Sequence, residues 1–322
     1  MLEWSKPVAD FLYASVLAGT PLLLGTLGEI VTEKSGHLNL GVEGMMYLGA
    51  IFGLIAGIYA ESAALTVLAA MAAGALGATI YAFLTVTLQA NQNVTGLTLT
   101  IFGAGLANYI GDHLKAAGGA TVAMLPETVR DAFRPELFGS LGEIPILGRL
   151  LFQYDPFAYA SLLLAVGMGV YLNRTRVGRN LRAIGENPSA ADASGVGISR
   201  YKYAHIALGG ALCGLGGAYV CVVTCGGIWT NNCVNGLGWI AVALVIFAGW
   251  SPYRAVAGSV VFGALSLLRL RIPASVMRIP PAIGSMLPFL VTAAVLVITS
   301  MRPGARRQPP KHCGLNYDRE ER

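Results

Sequence analysis

The sequence predicts an all-α, polytopic bundle of transmembrane helices, and two observations support that prediction. Charged residues make up 12% of the 322 residues and hydrophobic residues 55%, whereas charged residues are roughly 25% of soluble domains. Mean hydropathy is +0.61. The uncharged runs 62–111 and 203–253 can each cross a bilayer at least twice, at about 20 residues per crossing. This pattern excludes a disordered chain, a disulfide scaffold and an ordinary soluble enzyme.

The uncharged runs place about nine spans, within a range of about eight to ten. The expected spans are 9–29, 40–60, 63–88, 94–112, 154–172, 203–225, 237–250, 255–270 and 282–301. The seventh and eighth are short, so two full crossings and a broken pair around Trp250-Ser251-Pro252 both fit. Because the first run lacks a basic leader and a small-residue cleavage site, we expect a mature helix there and not a signal peptide.

Basic residues set the expected orientation. The loop 173–202 and the tail 302–322 are both rich in Lys and Arg. Four expected spans separate them, so both lie on one side, and the positive-inside rule makes that side cytoplasmic. We therefore expect one transmembrane domain over 1–301, with 173–202 as its cytoplasmic coupling loop, followed by a basic, proline-rich cytoplasmic tail. We expect the tail to be disordered, and either to rest on anionic lipid head groups or only to fix topology.

Small residues recur at four-residue spacing within two of the expected spans. The two series are Gly49, Gly53 and Gly57, and Gly210, Gly214 and Ala218. Such spacing lets helix backbones approach closely in lipid, which predicts a tightly packed bundle.

Polar residues at membrane depth usually mark a transport pathway. The residues expected to line a translocation path are Asn39, Glu43, Asn91, Asn93 and Asn108. Most are amides, which suit a neutral, hydrogen-bonding solute better than an ion, although helix-end or interhelical hydrogen bonds would also explain them. Gly36, Gly41 and Gly44 lie within the first polar run, so we expect a broken helix whose backbone lines a cavity.

The sequence lacks the usual signatures of catalysis. It contains no phosphate-binding loop, no zinc-protease or nucleophile-elbow motif and no paired acidic metal motif. We therefore expect a chain that is not an enzyme and that holds neither a metal nor a cofactor of its own. Of the histidines only His205 lies near Cys221 and Cys225 in sequence, so a zinc site has weak support, and a Cys225–Cys233 disulfide is left open.

The basic loop contains the signals of a short helix. Asn187 can cap a helix, Pro188 suits the first helical position and Gly195 can end the helix. We expect a helix of about two turns, presented to the cytoplasm where a motor subunit could push on it.

The run from Glu33 to Met46, EKSGHLNLGVEGMM, resembles a signature of the permease subunits of bacterial ABC importers. Other stretches that resemble the family lie at 90–97, at 185–191, and at 238–243 followed by 249–252, in the expected order across nearly the whole chain. The branch includes ribose, branched-chain amino acid and nucleoside permeases, and the first run is most similar to the nucleoside (guanosine-type) and simple-sugar subunits. Two departures are Asn93, where the family often has valine, and the Cys- and Asn-rich stretch 221–235.

The resemblance implies a type II-like ABC importer permease in a bacterial inner membrane, working with several partners. These would be two ATPase subunits that bind ATP and Mg, a second permease subunit (identical or related) and an extracytoplasmic substrate-binding protein, with no nucleic acid. The short helix in the basic loop would then be the coupling helix that docks on an ATPase. The expected coupling residues are Glu186, Asn187, Pro188, Ala190, Ala191, Asp192 and Gly195.

Together these features predict a permease that moves a small polar solute by alternating access. A nucleoside is the leading solute, with a simple sugar or a branched-chain amino acid as alternatives. An ion-coupled secondary transporter is the alternative from another class, and Glu43 is its candidate charged group. A passive channel or a membrane enzyme fits the sequence less well.

Overall fold

The computed structural model describes residues 5–117, 122–134, 144, 147–271, 286, 287, 289–294, 297 and 308–318. In this part of the chain the regular structure is helical, and an isolated β-bridge joins Met124 to Ile228. The helices are α1 Ser5–Lys34, α2 Val42–Ala60, α3 Ala63–Ala82, α4 Gln92–Ala117, α5 Glu127–Asp131, α6 Leu147–Leu151, α7 Pro156–Arg174, α8 Arg176–Glu186, α9 Pro188–Ala193, α10 Ile198–Tyr219, α11 Leu237–Ala248 and α12 Pro252–Arg271. Short π-helical turns at Phe83–Thr87 and Val220–Thr224 extend α3 and α10.

Six helices of the described chain are long and apolar enough to cross a membrane. They are α1, α2, α3 with its π turn, α4, α7, and α10 with its π turn. The shorter apolar helices α11 and α12 match the seventh and eighth expected spans. The predicted polytopic helical bundle is therefore confirmed. The count of nine stays a prediction, because most of the expected span 282–301 lies outside the described residues.

Helix α1 continues beyond the expected end of the first span. That span was expected to end at residue 29, whereas α1 ends at Lys34. Glu29 is 0% exposed and Glu33 is 2% exposed, so both carboxyl groups lie inside the bundle. Each has a hydrogen-bond partner there, which offsets part of the cost of removing a polar group from water.

Helices α2, α3 and α10 pack against one another through small residues. A methyl group added to Gly74 of α3 would lie 2.8 Å from the Cα atom of Gly214 in α10. One added to Gly53 of α2 would lie 3.1 Å from the Cβ atom of Ala70 and 3.8 Å from that of Ala218. The two small-residue series therefore meet within one three-helix contact, which confirms the predicted close packing.

Two irregular segments interrupt the bundle. Residues 35–41 separate α1 from α2, and Gly36 has a φ of +88° there, so the predicted interruption is present. That its backbone lines a cavity stays a prediction. Residues 225–236 lead from the π turn after α10 to α11 and contain several residues with left-handed backbone, including Asn232, Asn235 and Gly236. A sharp elbow at Gly249 and Trp250, both at φ +55°, joins α11 to α12.

The prediction of a disordered tail is wrong for residues 308–318. The backbone N–H of His312 donates to the carbonyl of Gly185 at 2.9 Å. The side-chain amide of Asn316 donates to the carbonyl of Gln89 at 2.6 Å, and Pro310 is buried. Proline and basic residues suggested disorder, but this segment finds backbone partners on the helical bundle that the tail sequence alone does not reveal.

We expect Gly74→Ala to destabilise the bundle, because the new methyl group would lie 2.8 Å from Gly214 Cα and neither backbone can yield without separating α3 from α10. Overpacking of this kind costs about 1–3 kcal/mol, which outweighs the gain of about 1 kcal/mol in helix propensity. The measurement is the midpoint temperature in detergent, from fluorescence-detected size-exclusion chromatography after heating, and it should fall.

Gly105→Ala is the matched control, because Gly105 lies within α4 and a methyl group there would meet no described heavy atom within 4 Å. This variant should keep or slightly raise the midpoint temperature. Equal midpoints for the two variants would contradict the close contact between α3 and α10.

Candidate functional site

Segment 35–41 extends alongside the first part of α4. The backbone N–H of Leu38 donates to Gln92 Oε1 at 2.9 Å, and the carbonyl of Leu40 accepts from Thr100 Oγ1 at 2.9 Å. The helical rise of about 1.5 Å per residue separates Gln92 from Thr100 by about 12 Å along α4. The break therefore runs into the bundle and is not a simple turn at its end.

Side chains supply the hydrogen bonds that this non-helical backbone lacks. The N–H of Asn39 donates to Glu29 Oε1 at 2.9 Å, and the carbonyl of Leu38 accepts from the Tyr81 hydroxyl at 2.7 Å. The N–H of Gly41 donates to Asn39 Oδ1 at 2.9 Å. Since an unpaired backbone group in a bilayer costs several kcal/mol, these side chains stabilise the broken helix.

The elbow between α11 and α12 is tied to the end of α1. Trp250 Nε1 donates to Glu33 Oε2, and both residues are buried. Arg254 Nη2 donates to the carbonyl of Gly249 at 2.8 Å, which satisfies the last turn of α11. Two of the stretches that carry the family resemblance, the one beginning at Glu33 and the one ending at 252, therefore contact each other across the bundle.

Segment 225–236 meets the start of α2. The N–H of Gly236 donates to Glu43 Oε1 at 2.8 Å, and the N–H of Asn235 donates to the Tyr47 hydroxyl at 3.3 Å. Glu43 is 8% exposed, and its second oxygen has no hydrogen-bond partner in the described part of the chain. The two irregular segments thus approach each other around the first turns of α2.

The asparagines of segment 225–236 pair with polar groups on α4. Asn108 Nδ2 donates to Asn232 Oδ1 at 2.9 Å, and the N–H of Asn232 donates to Asn108 Oδ1 at 3.0 Å. Asn231 Nδ2 donates to Asp112 Oδ1 at 2.9 Å, and Lys115 Nζ donates to Asn231 Oδ1 at 3.0 Å. The Cys- and Asn-rich stretch is therefore a polar contact surface for α4.

The remaining path candidates lie at the start of α4. Asn91 caps the helix, since its Oδ1 accepts from the N–H of Val94 at 3.1 Å, and Asn93 is exposed. Ideal helix geometry separates Asn93 from Asn108 by about 22 Å along the axis and by about 60° around it. These two amides therefore lie on one side of α4, as does the exposed Ile101.

The structure does not bring the five predicted path residues into one cluster. Asn39 and Glu43 lie at the broken helix, Asn108 lies within α4 and binds Asn232 of segment 225–236, and Asn91 and Asn93 lie at the beginning of α4.

Sequence reasoning missed two residues that bind segment 35–41, Glu29 and Tyr81, and it did not assign the contacts of Gln92 and Trp250. Glu29 and Glu33 carried one usable signal, because side chains four residues apart lie on the same face of a helix.

The short helix predicted in the basic loop is present as α9. Asn187 Oδ1 accepts from the N–H of Ala190 at 3.0 Å, Pro188 occupies the first turn, and Gly195 beyond the end has a φ of +79°. The two helix signals and the stop signal therefore act as the sequence predicted.

Helix α9 has one packed side and one open side. Pro188 and Ala191 are buried, and Asp192 is half-buried. The exposed coupling candidates are Glu186, Asn187, Ala190 and Gly195. This open side, mostly of short side chains, lies at the end of the bundle that also carries the basic residues of 173–202, which we call the basic end.

The described residues contain no group of three His, Cys, Asp or Glu side chains arranged to hold a metal ion. All five cysteines are free thiols, so the disulfide left open between Cys225 and Cys233 is not formed.

Comparison with known proteins gives a family match over most of the chain. A family model described as "branched-chain amino acid transport system / permease component" matches residues 11–296. The putative glucose ABC transporter permease protein TsgC13 of Haloferax volcanii is 32% identical, over 97% of this chain and 98% of its own length. The guanosine ABC transporter permease protein NupQ of Bacillus subtilis is 31% identical over 96% of both chains. The nucleoside ABC transporter permease protein NupC of Lactococcus lactis is 29% identical over 94% of both.

No solved structure matches the chain. The family match nevertheless includes both irregular segments and α9, so the elements described above belong to the shared region. The chain is a multi-pass membrane protein that belongs to the branched-chain amino acid transport permease family of ABC transporters.

Proposed function

We propose that this chain is a permease subunit of an ATP-driven importer and that its solute is a nucleoside. The observation that carries the proposal is the capped, partly open helix α9 at the same end of the bundle as the broken helix 35–41. A motor subunit pressing on α9 would act close to the irregular backbone whose rearrangement opens or closes a path.

The choice of solute rests on the relatives. The guanosine and nucleoside permease proteins are each matched over at least 94% of both chains, which supports a nucleoside. The glucose permease protein supports a simple sugar as the alternative.

The remaining steps of transport fall to partner subunits. Two ATPase subunits bind ATP and Mg and supply the energy, so this chain hydrolyses nothing itself. A second permease subunit, identical or related, completes the path, and an extracytoplasmic binding protein delivers the solute. The positive-inside rule supports a cytoplasmic location for the basic end and the C-terminus, in a bacterial inner membrane.

The path we propose follows the side of α4 that carries Asn93 and Asn108, with Asn91 at its cytoplasmic end. Amide groups both donate and accept hydrogen bonds, so they can pair with the hydroxyl and base groups of a nucleoside. Asn39 and Glu43 lie at the broken helix. They act on the path by fixing the positions of the two irregular segments, 35–41 and 225–236, through hydrogen bonds to Gly41 and Gly236. The free oxygen of Glu43 adds one acceptor at that point.

Alternating access then follows from two packings of the same helices. Closure of the ATPase dimer displaces α9, and the permease halves rock about the path without forming any covalent bond to the solute. The close glycine contacts among α2, α3 and α10 permit such rearrangements, because the helix backbones meet there through small residues.

The double variant Asn187→Ala/Pro188→Ala should lower ATP-driven uptake several-fold. Loss of an N-cap costs about 1 kcal/mol, and loss of the proline removes the preorganised first turn, so α9 is formed less of the time. Uptake is measured in proteoliposomes that contain the whole complex, with the amount of permease in the membrane measured in parallel.

Asn187→Ser is the control, because serine also accepts a hydrogen bond at the N-cap position, and it should transport at nearly the native rate. Undiminished uptake in the double variant would remove α9 from the coupling role.

Glu43→Gln should keep ATP-driven uptake within about twofold, because the side-chain oxygen that accepts from Gly236 is retained. Glu43→Ala should lower uptake, because it leaves the half-buried N–H of Gly236 without its partner, at a cost of about 1–3 kcal/mol. The assay supplies ATP to the ATPase side and imposes no ion gradient. Uptake that needs an ion gradient and collapses in Glu43→Gln would instead establish ion-coupled transport.

The assignment as an importer is tested by co-purification. The tagged chain is extracted from its native membrane in mild detergent, and its companions are identified by mass spectrometry. We expect an ATPase and a second permease, and a co-isolated binding protein that binds nucleosides more tightly than sugars in a titration. A chain that is stable but always isolated without an ATPase would overturn the proposal.

A further inference from the structure

We infer that residues 308–318 form a strap across the basic end that joins α9 to the start of α4, with Tyr317 and Asn316 as positioning residues for coupling. The inference rests on the proposed function, and it adds a part of the chain to which no coupling role has been assigned. Three attachments hold the strap to the bundle.

The first attachment fixes the beginning of the strap beside α1 and α8. The N–H of His312 donates to the carbonyl of Gly185 at 2.9 Å, and the N–H of Gly314 donates to the carbonyl of Gly36 at 3.3 Å. A methyl group on Gly185 would lie 3.1 Å from Pro310 Cβ. The strap therefore contacts the end of α8, immediately before the cap of α9, and also the turn that opens the broken helix.

The second attachment joins the strap to the turn before α4. Asn316 Nδ2 donates to the carbonyls of Gln89 and Ala90 at 2.6 and 3.2 Å. Gln92 Nε2 donates to Asn316 Oδ1 at 3.0 Å and to the carbonyl of Leu315 at 3.2 Å.

Gln92 also binds the broken helix, because its Oε1 accepts from the N–H of Leu38 at 2.9 Å. A single side chain at the start of α4 thus links the strap with segment 35–41. A displacement of the strap is therefore transmitted to the irregular backbone through two hydrogen-bonded contacts.

The third attachment joins the strap to α9. The Tyr317 hydroxyl donates to Asp192 Oδ2 at 3.2 Å. The ring of Tyr317 packs against the buried apolar residues around α9, which are Ile184, Ala191 and Ile198. Tyr317 therefore contacts the packed side of the helix, while the open side stays available to an ATPase.

An open cavity lies beside this last attachment. It has a volume of about 540 Å³, and its lining includes Gln89, Asp192, Lys202 and Tyr317. The cavity is open to the surface and lies between α9, the strap and the turn before α4, so it leaves room for α9 and the strap to shift together. The strap is therefore placed to move with α9 and to carry that movement to α4.

The test compares conservative variants in the full complex, reconstituted with its ATPase and binding protein. Tyr317→Phe removes only the hydroxyl that binds Asp192, and Asn316→Asp removes the donor to Gln89 and Ala90 at constant size. Lys311→Ala is the control, because Lys311 is exposed on the same strap. The readout is solute imported per ATP hydrolysed, together with basal ATP hydrolysis and ATPase retention on purification.

We expect Tyr317→Phe and Asn316→Asp to lower the ratio of solute to ATP at least threefold, with ATPase retention and basal hydrolysis unchanged, and Lys311→Ala to match the native protein. If both strap variants import as much solute per ATP hydrolysed as the native protein, the proposed coupling role of the strap is wrong. Lost ATPase retention would also overturn it, because the strap would then be a docking surface and not a transmitter. A native complex that shows no ATP-driven uptake would contradict the proposed function, and this result is distinguishable from a failure of the strap variants alone.

Docking of the strap is measured independently at Cys313, which is half-buried within it. Burial raises the pKa of the Cys313 thiol, so a docked strap should react slowly with maleimide. In a background with the other four cysteines replaced by serine, Tyr317→Phe should speed labelling by a membrane-impermeant maleimide several-fold. Equal rates in Tyr317→Phe and Lys311→Ala would show that Tyr317 does not hold the strap in place.

Discussion

Irregular backbone buried in a helical bundle must find hydrogen-bond partners within the protein, and this constraint shapes the bundle around segment 35–41. The N–H groups of Leu38 and Asn39 have no helical acceptors, and Gln92 and Glu29 accept from them instead. Asn39 needs an acceptor for its N–H, and this need accounts for the buried Glu29 carboxyl group. Burying a carboxyl group costs free energy, and the hydrogen bond offsets part of that cost. The same requirement explains why Glu43 accepts from the N–H of Gly236 in the second irregular segment.

These polar contacts connect the breaks to the ends of the bundle. Gln92 binds Leu38 on one side and the tail on the other, while Glu33 holds Trp250 at the elbow between α11 and α12. A force applied at the basic end can therefore reach irregular backbone through short, directional contacts. The contacts of α2, α3 and α10 run through small residues that let the helix backbones meet closely. Polar links between the irregular segments and small-residue contacts between helices together suit a protein that alternates between two packings.

Local features could be predicted from the sequence, and contacts between distant segments could not. The cap at Asn187, the proline after it and the stop at Gly195 act through neighbours in the chain, so their pattern predicts α9 directly. The break at 35–41 carries glycines and polar residues in one run. By contrast, the pairings of Glu33 with Trp250 and of Asn316 with Gln89 join residues more than 200 positions apart. Residues 308–318 are held on the bundle by hydrogen bonds of this long-range kind. The proline and basic residues of the tail, taken alone, predict disorder instead. Of the candidate site, the polar positions were predictable, but their separation into distinct groups was not.

Amide hydrogen–deuterium exchange tests most directly whether internal hydrogen bonds hold the broken helix. The complex would be placed in lipid nanodiscs, and exchange would be followed by mass spectrometry for peptides covering 35–41. We expect slow exchange, comparable to that of α2, and faster exchange of the same peptides in Glu29→Ala and Gln92→Ala. Exchange of the native segment at the rate of an open loop would contradict this expectation.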